Sequence, residues 1–241
     1  DTAMENEAKK YDLDNLFALR GDMARGDSVY HELQGTKEEV FRIYTILKGK
    51  KWNVVPYMGT DGTEESFLAM HGKSPRLLHL ATHGFYYTPS KAADVNFLKG
   101  DTDAMSLSGL VLSGGNAAWL GKKLPKGVLG GILTANDIAR LDLSNTDMVV
   151  LSACQTGQGK ATSEGLYGLQ RAFKKAGVGT IVMSLWNVDD RVTSEFMAAF
   201  YERLTDKANA LDKRKAFEEA KQIVRKNHPD PYHWAAFVML D

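Results

Sequence analysis

Three short apolar runs constrain this chain more than anything else in it: Leu77-Leu78-His79-Leu80-Ala81-Thr82, Met148-Val149-Val150-Leu151-Ser152-Ala153 and Thr180-Ile181-Val182-Met183-Ser184-Leu185. Each is near-continuous rather than alternating in polarity, the pattern of a strand covered on both faces. Amphipathic segments of helical length lie between and after them. Strands that alternate with helices predict a mostly parallel sheet inside a three-layer α/β/α sandwich.

The remaining elements follow from local signals. Thr36, with Glu38 and Glu39 behind it, predicts a helix N-cap with acids in the first turn, and Val40, Ile43, Tyr44 and Leu47 form its apolar stripe up to Gly49. Trp52 to Val55 reads as a strand and Thr63 to Met70 as a short helix. Thr134 caps a helix to Arg140, a further helix covers about Glu164 to Ala176 and stops at Gly177, and Asp189 with Asp190 opens one to about Leu204. Another spans roughly Leu211 to Arg225, and Trp234 to Leu240 reads as a closing strand. Residues 84–131 are rich in glycine and serine and suggest a long surface excursion holding the strand-like stretch Ser108 to Ser113. Residues 1–35 are polar and weakly periodic, an N-terminal lead-in or the remnant of an upstream region, and 36–241 form one domain.

Composition narrows the function classes. Thirty basic residues balance thirty acidic ones, with no basic patch interleaved with aromatics, so nucleic acid is not the expected partner. One cysteine in 241 residues precludes an internal disulfide framework, and no apolar run reaches the ~20 residues that span a bilayer. No membrane partner is expected, and a provisional cytoplasmic location follows. The first residue is Asp1 rather than methionine, which marks a fragment or a processed form.

Two of the apolar runs end on chemistry. In an open α/β sheet, reactive groups gather at the carboxyl ends of the strands, and His83-Gly84 leaves one run while Ala153-Cys154 leaves the next. A thiol is nucleophilic as its thiolate, and a neighbouring imidazole supplies the base or the ion-pair partner. The N–H groups of Gly84 and Cys154 stand at the same two exits, where fixed donors are needed for an oxyanion. The plainer alternative is that Cys154 is an inert core residue, which is the usual fate of a lone cysteine on an apolar strand. Against it, the Gly157 and Gly159 loop is free enough to expose the thiol, and an equivalent strand ends in His-Gly.

Other motifs weigh less. His79 and His83 have the spacing of a helical zinc pair, but on a strand they lie about 13 Å apart, so no metal site is expected and His79 reads as a hydrogen-bonded core residue. Gly157-Gln158-Gly159-Lys160 fails as a phosphate loop, because Cys154 and Ala161 stand where glycine and a hydroxyl residue belong. Nucleotide binding is therefore a distant third function.

At these residues the chain resembles the CHAT domains, caspase-like cysteine peptidases grouped with separases, gingipains and legumains. The resemblance runs through His79-Leu80-Ala81-Thr82-His83-Gly84-Phe85, Ser108 to Leu112, Val150-Leu151-Ser152-Ala153-Cys154-Gln155-Thr156-Gly157, Ser184 to Asp190 and Tyr232 to Val238. It implies a caspase-like α/β/α sandwich over 36–241 and a cysteine endopeptidase that uses His83 and Cys154 through a thioester acyl-enzyme, without a cofactor. The oxyanion would be held by Gly84 and Cys154, and the partner would be a protein or peptide substrate. It also implies an effector domain behind tetratricopeptide repeats or another sensor module, some relatives acting in bacterial defence, and self-processing of a zymogen. Trp186, Asp189 and Asp190 are placed to line the substrate pocket, where an acid would select a basic P1 residue. Helix capping is the equally weighted alternative for the two acids. The competing class is a silent interaction or sensor module that keeps the dyad.

Overall fold

The structure is a computed structural model that describes residue 30 and residues 34–87, 103–124, 126–152, 163–186 and 188–241. Strands β1 (Leu77–Ala81), β5 (Met148–Ser152), β6 (Thr180–Ser184) and β7 (Phe237–Leu240) form one sheet in the order β1-β5-β6-β7. The first three run parallel and β7 closes the edge antiparallel to β6. All five residues of β5 are buried, as its unbroken apolar sequence predicts for a central strand.

The pleat sorts these side chains into two cores. Met148, Val150, Val182, Phe237 and Met239 pack on one face against α1 (Gln34–Gly49), α6 (Asp190–Leu204) and α7 (Lys213–Asn227). Leu78, Val149, Leu151, Ile181 and Met183 pack on the other against α2 (Glu64–Leu68), α4 (Ala135–Ile138) and α5 (Ser163–Lys175). The predicted three-layer α/β/α sandwich is the observed fold.

Residues 84–131 depart from expectation. Beyond the single residue Thr82, the chain leaves β1 and enters a second, antiparallel sheet of β2 (His83–Tyr86), β3 (Ser108–Val111) and β4 (Ile132–Thr134). Phe85, Leu107, Val111, Ile132 and the Trp119 of α3 (Gly115–Trp119) make it a core of its own, not a surface excursion. Its glycines act by close approach: Phe85 lies opposite Gly109, where an added Cβ would stand 2.3 Å from the Leu133 carbonyl oxygen and 2.7 Å from the Phe85 ring.

Three boundaries also shift. Trp52–Val55 is not a strand: Lys51 has φ 63° and the Trp52 N–H donates to the Leu47 carbonyl, so the chain folds back on the end of α1. Helix α1 starts at Gln34, which removes Glu38 and Glu39 from its first turn. Trp234 belongs to the short helix α8 (Pro231–Trp234), whose Asp230 cap accepts from the Tyr232 N–H. Among the described residues no helix is long and apolar enough to cross a membrane.

Gly109→Ala should cost about 1–3 kcal/mol through overpacking, whereas Gly49→Ala, whose new Cβ meets nothing within 4 Å, should stay within about 0.5 kcal/mol. Urea midpoints of the two variants measure this, and equal midpoints would mean that Phe85 yields to the methyl group.

Candidate active site

Strands β1 and β5 are adjacent and in register from Leu77↔Met148 to Ala81↔Ser152, so they end level with each other. His83 stands two residues beyond Ala81, and Cys154 stands two residues beyond Ser152 in sequence. Cys154 itself lies outside the described residues. His83 is the first residue of β2 and is half-buried, its ring centroid 5.2 Å from that of Tyr30. Thr82 fixes the crossover between the sheets by donating its hydroxyl to the Val111 carbonyl.

Gly84 is buried one residue further on. The Tyr87 N–H donates to the Leu107 carbonyl, and hydrogen-bonded pairs alternate along an antiparallel ladder, so Phe85 and His83 also face β3. The Gly84 N–H therefore points away from β3, toward the edge of β2 that no described strand covers.

The pocket candidates are engaged in different ways. Asp189 caps α6, its carboxylate accepting from the N–H groups of Arg191 at 3.0 Å and Val192 at 3.4 Å. Asp190 opens the helix and is exposed, and its Cβ abuts α1 so closely that a Cβ at Gly35 would lie 2.7 Å away. Trp186 donates its indole N–H to the Tyr232 carbonyl at 2.9 Å. Among the described residues no group of three or more His, Cys, Asp or Glu is arranged to hold a metal ion.

Beneath the strand ends lies a polar network that the sequence reading did not assemble. Glu39 of α1 is 4% exposed and receives His79 Nε2 at 2.9 Å on one oxygen and the Ser152 hydroxyl at 3.0 Å on the other. His79 Nδ1 lies 3.0 Å from the hydroxyl of Tyr201, a fully buried residue of α6. Burial, reinforced by the Glu39 carboxylate, pushes the Tyr201 hydroxyl well above the usual phenol range, so it keeps its proton. His79 bridges that hydroxyl and Glu39, its Nε2–H donating to the carboxylate. His79 is thus the hydrogen-bonded core residue expected of it. The signal for Glu39 was its spacing: Glu39, Ile43 and Leu47 fall at i, i+4 and i+8 on the buried stripe of the helix.

A mixed α/β sandwich in which His-Gly leaves one strand and Ala-Cys follows its in-register neighbour defines a caspase-like, peptidase-related protein. The chain belongs to the CHAT domain family, which it matches over residues 7–241. It is also similar to tetratricopeptide repeat protein 28 of mouse, 36% identical over 111 residues, and to the human protein of that name, 35% identical over 111 residues. In both comparisons the match covers 45% of this chain and only 4% of the relative.

Glu39→Ala strands the donors of His79 and Ser152 in the core and should cost about 1–3 kcal/mol for each, with Glu39→Gln costing less because it retains an acceptor. Denaturant unfolding decides, and a cost under about 1 kcal/mol for the alanine variant would contradict the network. Tyr201 also gives a pH signature. Its folded-state proton is held above the ordinary value of 10.0, so its stabilisation is complete below that pH. At higher pH the unfolded chain releases the proton and the folded one keeps it, so stability falls by about 1.4 kcal/mol per pH unit for each such tyrosine. Tyr201→Phe should flatten the alkaline slope by one proton's worth, and an unchanged slope would argue against it.

Proposed function

We propose that the chain is a cysteine endopeptidase domain that hydrolyses peptide bonds with Cys154 as nucleophile and His83 as base. The observation that carries this reading is the register of β1 and β5, which aligns the two strand ends from which these residues follow at equal distances. Cys154 attacks the scissile carbonyl as thiolate, forming a thioester as the amine departs. His83 protonates the leaving amine and then draws a proton from the water that hydrolyses the thioester. The N–H groups of Gly84 and Cys154 hold the oxyanion, a role supported by the outward direction of the Gly84 N–H.

Asp189 is committed as a helix cap, which leaves Asp190 as the acid to meet a basic P1 side chain, with Trp186 as a further pocket residue. The name of the mouse and human relatives supports a place for this domain beside a tetratricopeptide repeat region, and gating by that region and activation by self-processing belong to the same proposal.

Peptidyl acyloxymethylketones with Arg, Leu or Asp at P1 test the reading directly. The Arg reagent should alkylate Cys154, adding the mass of its peptidyl methyl ketone as the acyloxy group departs as carboxylate, and leave Cys154→Ala untouched, and His83→Ala should lower kcat/KM by about 10²–10⁴-fold. Should none of the three reagents label Cys154, the domain acts as an interaction module instead. Better labelling by the Leu reagent would discard the basic P1 preference. Intact masses of wild type and Cys154→Ala, compared after storage, report self-cleavage as fragments seen in the wild type alone.

A further inference from the structure

The small sheet carries a second recognition element next to His83. Phe85, Tyr87 and Trp119 are buried around a shared space, with Trp119 ring centroids 5.5 Å from each of the other two. Tyr30 enters that space, edge-on to Trp119 at 5.2 Å and tilted over His83 at 5.2 Å. It comes from far away in the chain, 86 residues before the side chain that holds it.

The holding is by main chain. Asn116 accepts the Tyr30 N–H on Oδ1 at 2.9 Å and donates Nδ2 to the Tyr30 carbonyl at 2.7 Å. A side-chain amide that returns both hydrogen bonds of one residue does what a paired strand residue does, because it offers the same planar donor and acceptor as a peptide. Such a grip reads backbone, and therefore any residue type. The surrounding rings supply the selectivity, since edge-to-face packing rewards an aromatic side chain. Backbone capture for affinity and a pocket for identity are the two parts of a peptide subsite.

We propose that Asn116 with Phe85, Tyr87 and Trp119 forms a binding subsite for one aromatic residue of a peptide substrate, and that Tyr30 fills it in cis. The proposal rests on the reading of His83 as the catalytic base. Tyr30 then does two things at once. It takes the place of the substrate's aromatic residue, and its ring rests tilted against the His83 imidazole, centroid to centroid 5.2 Å. Displacement of Tyr30 opens both. A subsite occupied by its own chain weakens every competing peptide in proportion to the time it spends filled.

The test separates the subsite from the chemistry by working first in the Cys154→Ala background, where binding is read without turnover. Acetyl-Gly-Tyr-Gly-amide is titrated into the Tyr30→Ala and Tyr30-containing proteins while the Trp119 indole N–H resonance is followed. The Tyr peptide should shift Trp119 in the Tyr30→Ala protein with an affinity about tenfold or more above that of the Tyr30-containing protein. Acetyl-Gly-Ala-Gly-amide should not shift it, and adding Asn116→Ala should abolish the effect. Should Tyr30→Ala lose its cooperative melt, the Tyr30-containing protein is titrated to higher peptide concentration instead, where the same Trp119 shift should appear with weaker affinity and its absence overturns the proposal. With Cys154 restored, the same release should raise kcat/KM on aromatic-bearing peptides by about tenfold. A Trp119 signal that the Tyr peptide leaves unmoved in a folded Tyr30 variant overturns the proposal, because Tyr30 is then only a packing strap. Binding without turnover would keep the subsite and reject the peptidase.

Discussion

A buried carboxylate organises the end of the sandwich where the chemistry is expected. Glu39 is removed from water, and a carboxylate there is tolerable only when hydrogen-bond donors replace the lost hydration. Those donors come from β1 and β5, through His79 and Ser152, and the tyrosine that completes the set comes from α6. One side chain thereby ties the first described helix to two neighbouring strands and, through His79, to a second helix. Apolar packing alone tolerates small slips, whereas two hydrogen bonds of fixed geometry do not. The strand ends that precede His83 and Cys154 are held from below by that demand.

The central sheet and the small sheet divide the work. The parallel strands supply alignment, since β1 and β5 pair residue for residue to their last positions. The antiparallel sheet supplies the surface around His83, because β2 begins at that residue and its open edge carries the Gly84 N–H. Level strand exits thus come from one sheet and the surroundings of His83 from the other.

Much of this was legible in the sequence, and the failures have physical causes. β5 and β6 declared themselves by unbroken apolar runs, and α6 by Asp189, which caps it as its position promised. Glu39 was misjudged because an acid near a helix start has a local explanation, while its real partners lie 40 and 113 residues away. The second sheet was mistaken for surface because residues 84–131 are rich in glycine and serine, and only the Phe85 ring lying on Gly109 reveals close packing there. Trp52 to Val55 has the composition of a strand, but a left-handed Lys51 turns it along the helix instead. In the candidate site, His83-Gly84 and Ala153-Cys154 are local patterns visible in the sequence itself. The cage around Tyr30 unites residues 30, 85, 87, 116 and 119, which no local pattern relates.

Thr82 is the only residue between the last of β1 and the first of β2. His83 consequently belongs to the small sheet, while Ser152 belongs to the large one. Leu110 of β3 and Leu133 of β4 nevertheless pack into the same core as Val149 and Leu151 of β5, so the inclination of one sheet to the other is set by shared packing as well as by that single residue. The placement of the His83 imidazole is therefore a joint product of two sheets rather than a property of either.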